Sequence, residues 1–325
     1  MKVLQVTTNY PTKSNPIYGI FMKEQVESLE KFGVENTIFF SDGSSVNKDK
    51  HHGAKWLHLK NSIKLLGHVL THRYDLVHCH SAISGLIMLF SGVFLFKKCI
   101  ISFQNDPEQG SDGKNFRKLY RIFDKVIVKK HSIYDSWSKV VYLPNGCNTA
   151  VFRPIDKEEC KRKLGLDLNK KYILFVDSNS AKKRTQKRRD RFDATLSILR
   201  DKYSCDNIEV LSMCSVKRDD VPTYFNACEL HLLTSDLEGS PNSVKECIAC
   251  NVPVVATDVG NVRDVLSNVP NCYVCDTFNP EEIAENVYKV LSTAKMGTEI
   301  RDAFIAKKLD IDSVAKELYS IYVNL

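Results

Sequence analysis

The pattern that most restricts the fold is an alternation of short β-branched runs with longer helical stretches, which starts twice along the chain. In the first half the predicted strands are KVLQVTT, ENTIFFSD, DLVHCH, KKCIISFQ, FDKVIVKK and VVYLPNG, with the helical stretch GIFMKEQVESLEKFG after the first strand. In the second half they are KYILFVDS, NIEVLSM, ELHLLTS, VPVVAT and NCYVCD, with helical stretches RDRFDATLSILRDKY and DVPTYFNAC. Strands separated by helices form βαβ units and parallel sheets.

The sequence therefore predicts an α/β protein with two Rossmann-like, doubly wound, parallel-sheet domains. We place the domains at 1–150 and 151–305, hinged near PNGCNTAVFRP, and we expect 306–325 to form a C-terminal helix that packs back on the first domain. A chain of 325 residues agrees with this division, since a domain averages roughly 150 residues. Ligands of such sheets bind beyond the carboxyl ends of the strands, so a central cleft between the domains is the expected site.

Composition excludes two broad classes. Hydrophobic residues make up 43% and charged residues 26% of the chain, which are ordinary globular values and exclude wholesale disorder and a membrane-spanning protein. The net charge of +7 favours phosphate-bearing substrates or an anionic membrane surface without deciding between them. The opening MKVLQVTTNYP soon reaches polar residues and a proline, which predicts no signal peptide. The eleven cysteines are therefore expected to be reduced, cytoplasmic thiols.

The apolar segment AISGLIMLFSGVFLF, residues 82–96, is the one candidate for membrane contact. A spanning helix needs about 20 apolar residues, so this segment is too short to cross a bilayer. A buried helix is the preferred interpretation, and a helix that lies on the bilayer surface is the alternative.

The stretch EGSPNSVKE holds two glutamates, Glu238 and Glu246, eight positions apart. Carboxylates fixed on a loop and on the helix that follows can bind vicinal hydroxyls. The alternative is a solvated loop before a helix that favours acid near its start. That alternative explains Glu246 poorly, because Glu246 stands about two turns into any helix that begins near 241–242.

Seven lysines and arginines lie among residues 182–191. Such a run can be a solvated face, a nucleic-acid patch or a phosphate-binding site. Arg184 and Lys187 follow the first strand of the second half, where fixed cations could neutralise a diphosphate leaving group. Aromatic residues, which would support nucleic-acid binding, are absent from the run.

Gly19 precedes the first predicted helix, where a glycine lets main chain approach a ligand and a helix amino terminus can hold phosphate. Ordinary turn chemistry is the alternative. No G-x-G-x-x-G follows the first strand, which counts against a nicotinamide-dependent dehydrogenase.

The stretch VPTYFNACELHLLTSDLEGSPNSVKECIACNVPVVATDVGNVRDVL resembles the nucleotide-sugar-binding core of the family 4 retaining glycosyltransferases, which have the GT-B fold. The resemblance extends to NYP, NP, GIF, DLVHCH and LPNGCNTAVFRP, and so covers most of the chain. It implies that Glu246 binds the ribose hydroxyls and Glu238 the donor-sugar hydroxyls. It also implies that a turn faces the sugar and phosphate, mainly through main-chain amides; its residues are Gly239, Ser240, Pro241, Asn242 and Ser243.

The resemblance further places Arg184 and Lys187 on the diphosphate, Gly19 across the cleft from them, and His80 on the acceptor side. With Glu238, the residues Arg184, Lys187 and His80 form the implied catalytic set. The implied activity is transfer of a sugar from a nucleotide-sugar donor to a glycan or lipid-linked acceptor, with retention of anomeric configuration and without a metal or other cofactor. The implied setting is surface-polysaccharide or related glycan assembly, in the cytoplasm or at the inner face of an anionic membrane.

The acceptor loop departs from the family pattern. Gln104 and Asn105 stand where many relatives carry a histidine and a glycine. A catalytically inactive nucleotide-sugar-binding module is therefore the main alternative. The second alternative is a basic nucleic-acid-binding protein that uses residues 182–191. It is disfavoured because it gives the two glutamates no role. We therefore predict no nucleic-acid partner.

Three patterns imitate metal sites. The C-x2-C pairs, Cys247 with Cys250 and Cys272 with Cys275, have nearly zinc-ribbon spacing, but they fall in a predicted helix and strand and not in zinc knuckles. HCH at 78–80 has no third ligand nearby, so we expect one packed and one cleft-lining histidine. DID at 310–312 precedes a helical stretch and is interpreted as helix capping. We predict no metal site.

Overall fold

The computed structural model describes residues 1–13, 15–41, 51–177, 185–293 and 297–325, without the side chains of 51–55, 110–112 and 185. The chain forms two compact units. The first unit is Met1–Gly146 with Ile311–Leu325, and the second unit is Cys147–Asp310.

The first unit is built on a six-stranded sheet. Its strands are β1 (Lys2–Thr7), β2 (Glu35–Phe40), β3 (Leu76–Cys79), β4 (Lys98–Ser102), β5 (Lys125–Val128) and β6 (Val140–Tyr142). They pair in parallel in the order β2-β1-β3-β4-β5-β6. Its first four helices are α1 (Ile20–Glu30), α2 (His51–Thr71), α3 (Ala82–Ser91) and α4 (Gly110–Ile122).

The second unit is built on a five-stranded sheet. Its strands are β7 (Lys171–Val176), β8 (Ile208–Met213), β9 (Leu230–Leu233), β10 (Val254–Thr257) and β11 (Tyr273–Cys275). They pair in parallel in the order β11-β10-β9-β7-β8. Its helices are α5 (Lys157–Lys163), α6 (Arg189–Tyr203), α7 (Val221–Ala227), α8 (Asn242–Ala249), α9 (Val262–Leu266), α10 (Pro280–Ser292) and α11 (Glu299–Ala306). The prediction of two doubly wound parallel sheets is confirmed.

Both faces of the first sheet are covered because its strands are apolar on both sides. Along β4, Cys99 and Ile101 belong to the core under α2, α3 and α4, whereas Ile100 belongs to the core on the opposite face. The last helix, α12 (Ile311–Val323), covers that opposite face beside α1 with Val314, Ala315, Leu318 and Tyr322. Lys31 at the end of α1 pairs with Asp312 at 2.6 Å, which joins the two helices at their solvent side.

The apolar segment 82–96 forms α3 and a 3-10 turn, Val93–Leu95. Within the described ranges, no helix is long and apolar enough to cross a bilayer. The predicted burial of this segment is only partly right: Ile87 and Met88 are buried, whereas Phe90 and Leu95 are exposed.

Candidate functional site

The order of the strands decides where polar loops meet in the second unit. The chain passes from β7 to β8 on one side and then returns to place β9 on the other side of β7. The segments that follow β7 and β9 therefore diverge at a topological switch point, which is the usual ligand site in an open α/β sheet. The segment after β9 contains Glu238 and the turn 239–243, and the segment after β7 contains Lys187. Arg184 lies outside the described residues.

Two of the predicted catalytic side chains are in direct contact at this point. Lys187 Nζ donates to Glu238 Oε1 at 2.5 Å, and Ser235 Oγ donates to the same oxygen at 2.8 Å. Both partners are largely buried, with 19% of the Lys187 side chain and 14% of the Glu238 side chain exposed. Thr234 Oγ1 donates to the main-chain oxygen of Lys187 at 2.9 Å, which fixes the two segments together. The site therefore holds a cation and a carboxylate that are both partly open to solvent.

The turn after Glu238 is held by a glycine that sequence reasoning did not select. Gly260 has a φ of +59°, and a Cβ there would lie 2.2 Å from the Gly239 carbonyl oxygen. The same oxygen accepts a hydrogen bond from Asn261 N at 2.9 Å. Only a glycine allows this close approach of two main-chain segments.

A buried lysine supports the same turn from below. Lys245 is fully buried, and its Nζ donates to Ser240 Oγ at 2.8 Å. Burial lowers the pKa of Lys245 to about 8, although the neighbouring Glu246 favours the charged form. The turn thus has a positive charge beneath it at neutral pH.

Helix α8 begins directly after Pro241, so the first amides of the helix face the region of the turn. Ser243 Oγ lies 3.1 Å from His231 Nε2, and His231 Nδ1 lies 3.1 Å from the Leu174 main-chain oxygen. Burial lowers the pKa of His231 to about 4. Asn242 Oδ1 is buried and has no hydrogen-bond partner among the described residues.

Glu246 lies in the second turn of α8 and is paired with an arginine that the sequence did not indicate. Arg218 Nη1 donates to Glu246 Oε1 at 2.7 Å, and the Arg218 guanidinium lies over the Phe152 ring at 4.6 Å. Arg218 follows β8, so a third strand end contributes to this site. Each of the two glutamates is therefore held by one cation.

The rest of the basic run makes ion pairs with neighbouring carboxylates. Arg188 pairs with Asp190 and Asp236, Arg189 pairs with Asp193, and Arg191 pairs with Asp236. Because these arginines are neutralised locally, this part of 182–191 does not present a row of open cations of the kind that nucleic acid binds.

Gly19 lies in the corresponding loop of the first unit, after β1. It has a φ of +68° and caps α1, and a Cβ there would lie 2.5 Å from the carbonyl of Asn9. A glycine is therefore required at position 19, because a side chain there would clash with the main chain of Asn9. Contact with a donor remains a prediction.

The two histidines of HCH are both buried in the first unit, which corrects the expectation that one of them lines a cleft. His78 Nδ1 lies 2.6 Å from the Tyr322 hydroxyl, and His80 Nε2 lies 2.7 Å from Gln5 Oε1. Burial, together with the nearby charge of Lys129, lowers the pKa of His80 to about 3. His80 is thus a neutral ring at physiological pH, and its acceptor-side role remains a prediction.

The histidine pKa shifts predict an acid-dependent loss of stability. The folded protein keeps His80 neutral down to a pH of about 3, whereas the unfolded ring takes a proton below its ordinary pKa of 6.5. The stabilisation is therefore complete above pH 6.5 and falls as the pH decreases toward 3, by about 2 kcal/mol at pH 5. We expect urea unfolding curves of His80→Gln to depend less on pH between 7.5 and 5 than those of the wild type. Equal pH slopes would show that His80 does not carry this effect.

Gln104 follows β4, and its Oε1 accepts a hydrogen bond from Asn145 Nδ2 at 3.5 Å. Its Nε2 is buried and has no partner within the part of the chain that the structure describes. An amide at this place can bind a hydroxyl, but it cannot take up a proton as a histidine can.

The cysteines with zinc-ribbon spacing are used as hydrogen-bonding groups; Cys247, Cys250 and Cys275 are buried and Cys272 is partly buried. Cys247 Sγ donates to the Val252 main-chain oxygen, and Cys272 Sγ accepts from Val254 N. Burial raises the pKa of Cys272 to about 12, which disfavours the thiolate that binds metal. Across the described residues, no group of three or more His, Cys, Asp or Glu side chains could hold a metal ion.

Comparison with known proteins identifies the second unit. Residues 195–307 match the model of the family described as glycosyl transferases group 1. The chain carries a group 1 glycosyltransferase domain. The matched segment includes Arg218, Glu238, the turn 239–243, Glu246 and Gly260, whereas Lys187 lies shortly before its first residue.

Two curated relatives resemble the chain over different lengths. TuaC of Bacillus subtilis (strain 168), named as a teichuronic acid biosynthesis glycosyltransferase, is 22% identical over 82% of this chain and 83% of its own length. The N,N'-diacetylbacillosaminyl-diphospho-undecaprenol alpha-1,3-N-acetylgalactosaminyltransferase of Campylobacter jejuni is 25% identical over 54% of this chain and 52% of its own length.

Two solved structures share the fold. Alr3699/HepE of Anabaena, in complex with UDP-glucose, superimposes with a TM-score of 0.72 at 14% identity, covering 100% of both chains. Sucrose-phosphate synthase of Thermosynechococcus elongatus superimposes with a TM-score of 0.76 at 12% identity, covering 100% of this chain and 99% of that chain. The predicted GT-B fold is confirmed by these likenesses.

Proposed function

We propose that the protein transfers a sugar from a nucleotide-sugar donor to a glycan or lipid-linked acceptor, with retention of anomeric configuration. The observation that carries the proposal is the contact between Lys187 and Glu238 at the switch point of the second unit. There a carboxylate suited to sugar hydroxyls and a cation suited to a departing diphosphate are held side by side.

The second ion pair supports the orientation of the donor. Glu246 keeps only 8% of its side chain exposed, and Arg218 leaves its Oε2 as the oxygen that can accept from ribose hydroxyls. Between the two glutamates, the Gly239–Ser243 turn and the start of α8 offer main-chain amides to the phosphates. These contacts would place the base near α8 and the sugar near Glu238.

In the proposed reaction the bond between the anomeric carbon and the donor phosphate breaks as the acceptor hydroxyl attacks from the same face. The leaving phosphate oxygen takes the acceptor proton, so no protein nucleophile is required. Lys187 and Arg184 would stabilise the charge that the diphosphate gathers, which is the role that electrostatic stabilisation most often plays in catalysis.

Two relatives suggest the class of acceptor. TuaC is named for teichuronic acid biosynthesis, and the Campylobacter enzyme is named for a diphospho-undecaprenol substrate. We therefore place this protein in surface-polysaccharide or related glycan assembly, with a lipid-linked acceptor. HepE in complex with UDP-glucose makes uridine nucleotides the first donors to test.

An inactive nucleotide-sugar-binding module is the second candidate, and Gln104 is the observation that favours it. Its amide stands where many family 4 enzymes carry a histidine, and no proton acceptor replaces it at that position. Such a module would bind the donor without consuming it.

A thermal-shift panel of nucleotide sugars tests the proposed donor class. A ligand at about 100 times its Kd stabilises the folded protein by about 2.7 kcal/mol, which is easily measured. We expect one or a few nucleotide sugars to raise the Tm, with the matching nucleoside diphosphate as a weaker ligand. If no nucleotide or nucleotide sugar shifts the Tm, the proposal is wrong.

Turnover is expected to survive removal of divalent ions. Lys187 and Arg184 supply the positive charge that a divalent cation supplies in other transferases, so EDTA should change the rate of donor consumption little. Loss of activity in EDTA that magnesium or manganese restores would contradict this assignment.

Replacing Gly260 with alanine is expected to weaken donor binding as well as stability. The added Cβ would lie 2.2 Å from the Gly239 oxygen, so the turn after Glu238 must move. Gly165→Ala is the matched control, because Gly165 also has a positive φ, of +67°, with no described atom within 4 Å of the added Cβ. Both variants should lose about 1 to 2 kcal/mol of stability to the left-handed backbone. Only Gly260→Ala should reduce donor affinity in titration calorimetry, and equal donor affinities would contradict the role of the turn.

A further inference from the structure

Helix α2 of the first unit carries large apolar side chains on its outer face. Leu65 and Val69 are buried in the core, whereas four other apolar residues point to solvent. Their exposed fractions are 70% for Trp56, 45% for Leu59, 65% for Ile63 and 69% for Leu70. Steps of three, four and seven residues place these four on one stripe of the helix. A surface helix normally has polar residues there, so the stripe needs an explanation.

The neighbouring segment extends this apolar surface. Helix α2 packs against α3 and against the 3-10 turn Val93–Leu95. Phe90, Leu95 and Phe96 are exposed on that segment. Lys97 Nζ donates to the Tyr74 main-chain oxygen at 2.8 Å, which ties the segment to the chain just after α2. We call Trp56, Leu59, Ile63, Leu70, Phe90, Leu95 and Phe96 the apolar face.

The segment that carries the apolar face contains almost no acid of its own, although Asp124, from outside it, lies 3.8 Å from Lys98 Nζ. Residues 51–105 contain six lysines and arginines and a single acidic residue, Asp75. The Asp75 carboxylate accepts a hydrogen bond from Lys2 N at 2.7 Å. Lys60 and Lys64 are exposed on α2, each one position after a residue of the stripe. On the side of α4, Lys118 Nζ lies 5.7 Å above the Phe90 ring.

We propose that the apolar face docks on an anionic lipid bilayer. An interfacial helix combines an apolar stripe, which enters the boundary of the acyl chains, with lysines that reach the head groups along their flexible stems. Trp56 and the two phenylalanines suit the interface because aromatic rings prefer that depth. A basic segment next to the stripe gains further attraction from anionic lipids.

The charge pattern disfavours a second copy of the chain as the occupant. A two-fold contact brings the same surface of both copies together, so Lys60 and Lys64 of each copy would face an equally basic partner. An anionic bilayer is apolar where the stripe is apolar and negative where the lysines lie. This inference goes beyond the proposed function, because docking requires neither a sugar donor nor an acceptor.

The chain's two tryptophans allow a direct test. Trp56 lies on the apolar face, and Trp137 packs against the core of the first unit. In a Trp137→Phe background, Trp56 fluorescence should shift to the blue on addition of vesicles of phosphatidylcholine with 30% phosphatidylglycerol. Vesicles of phosphatidylcholine alone should give a smaller shift, and added salt should weaken binding because screening acts on exposed charges. No shift and no co-sedimentation with anionic vesicles at low salt would overturn the proposal.

Surface variants test whether the apolar stripe and its lysines make the contact with the bilayer. Ile63→Ser with Leu70→Ser should lower vesicle binding about tenfold or more, because two apolar side chains no longer enter the interface. Lys60→Glu with Lys64→Glu should lower it about thirtyfold or more, because each lysine near an anionic surface contributes about fivefold. Ile133→Ser with Lys316→Glu is the control, since both side chains are exposed elsewhere on the first unit, and it should bind as the wild type does.

Two outcomes would contradict the docking surface. One is equal vesicle binding by the stripe variant and the control. The other is a wild-type dimer in analytical ultracentrifugation that Ile63→Ser with Leu70→Ser converts to a monomer, in the absence of vesicle binding. Thermal shift by the donor is measured on the same variants and should be unchanged, so failure of docking is distinguishable from failure of the proposed activity.

Discussion

Replacing Lys187 with alanine is expected to reduce turnover by about 10²- to 10³-fold, which is the usual loss when one preorganised electrostatic contact to a developing charge is removed. Donor affinity should fall far less, because the charge on the diphosphate grows as the bond to the sugar breaks. The measurement is the rate of donor consumption at saturating donor, together with donor affinity from calorimetry. The combination of a large loss in kcat with a small loss in affinity is the signature of a transition-state contact.

The second unit offers a matched control for this variant. Lys157 pairs with Glu229 at 2.5 Å, and Glu229 immediately precedes β9, whereas Glu238 follows it. Lys157→Ala therefore removes an ion pair of the same length at the amino-terminal end of β9, where Lys161 Nζ remains 3.7 Å from Glu229. It should lower stability about as much as Lys187→Ala does and leave turnover unchanged. Similar losses of turnover in both variants would mean that Lys187 acts only through stability.

A double substitution of Arg184 and Lys187 distinguishes the phosphate-binding role from a nucleic-acid patch. We expect it to lower turnover further, whereas substitution of Lys182 and Arg189 should do little. A nucleic-acid patch predicts instead that all four substitutions weaken binding of a polyanion about equally, each reducing the salt slope by about one. Equal effects of both pairs on turnover would refute the phosphate-binding role.

Glu246→Gln is expected to weaken donor binding about tenfold or more while the fold stays intact. A neutral amide accepts hydroxyl protons less strongly than a carboxylate, and a hydrogen bond to a charged group contributes about 1.5 to 3 kcal/mol. Titration calorimetry with the nucleotide sugar and with the free nucleotide measures the loss, which should be similar for both because the ribose is common to them. Unchanged affinity for either ligand would contradict the assignment of Glu246 to the ribose hydroxyls.

The control for this variant is Glu229→Gln, which also neutralises a partly buried, ion-paired carboxylate of the second unit. It should leave affinity for the nucleotide unchanged. This comparison is needed because Glu246→Gln also removes the negative charge that pairs with Arg218, which lowers stability by itself.

The strands were the predictable part of this protein. Runs such as KYILFVDS and VPVVAT are apolar on both faces, as strands of a covered parallel sheet must be, and each forms a strand in the structure. The segments that follow β7 and β9 could be selected for the same reason, because Lys187 and Glu238 lie just beyond apolar runs. Their direct contact was not predictable, since it depends on the strand order that places β9 beside β7.

The other partners escaped sequence reasoning for physical reasons. Arg218 lies 28 positions from Glu246, and only the strand ends bring them together. Gly260 stands in DVGNV, where turn chemistry explains a glycine without reference to Gly239. His80 was expected to be accessible because it follows a strand. In the structure it is buried, and its Nε2 lies 2.7 Å from Oε1 of Gln5 on the adjacent strand β1. For Gly260, the one usable signal was a glycine directly after a strand in a domain whose ligand site lies at strand ends.

For the outer stripe of α2, the sequence pattern identifies the helix but not the face that is buried. Its spacing of apolar residues is that of a core-facing helix, so a periodicity argument alone would bury the wrong face. Burial of Leu65 and Val69 on the other side shows which face meets the sheet. Patterns of this kind identify a helix, whereas the environment of each face has to be read from the structure.

The most direct test of the proposed transfer follows acceptor-dependent release of nucleoside diphosphate from the nucleotide sugar that the thermal-shift panel selects. The protein is incubated with that donor and with a lipid-linked acceptor fraction, and the released nucleotide and the glycosylated lipid are measured together over time. We expect equimolar formation of the two products, in the presence of EDTA, and near-absence of both with Lys187→Ala. Tight donor binding without any acceptor-dependent release would contradict the proposed transfer and would identify the protein as a binding module.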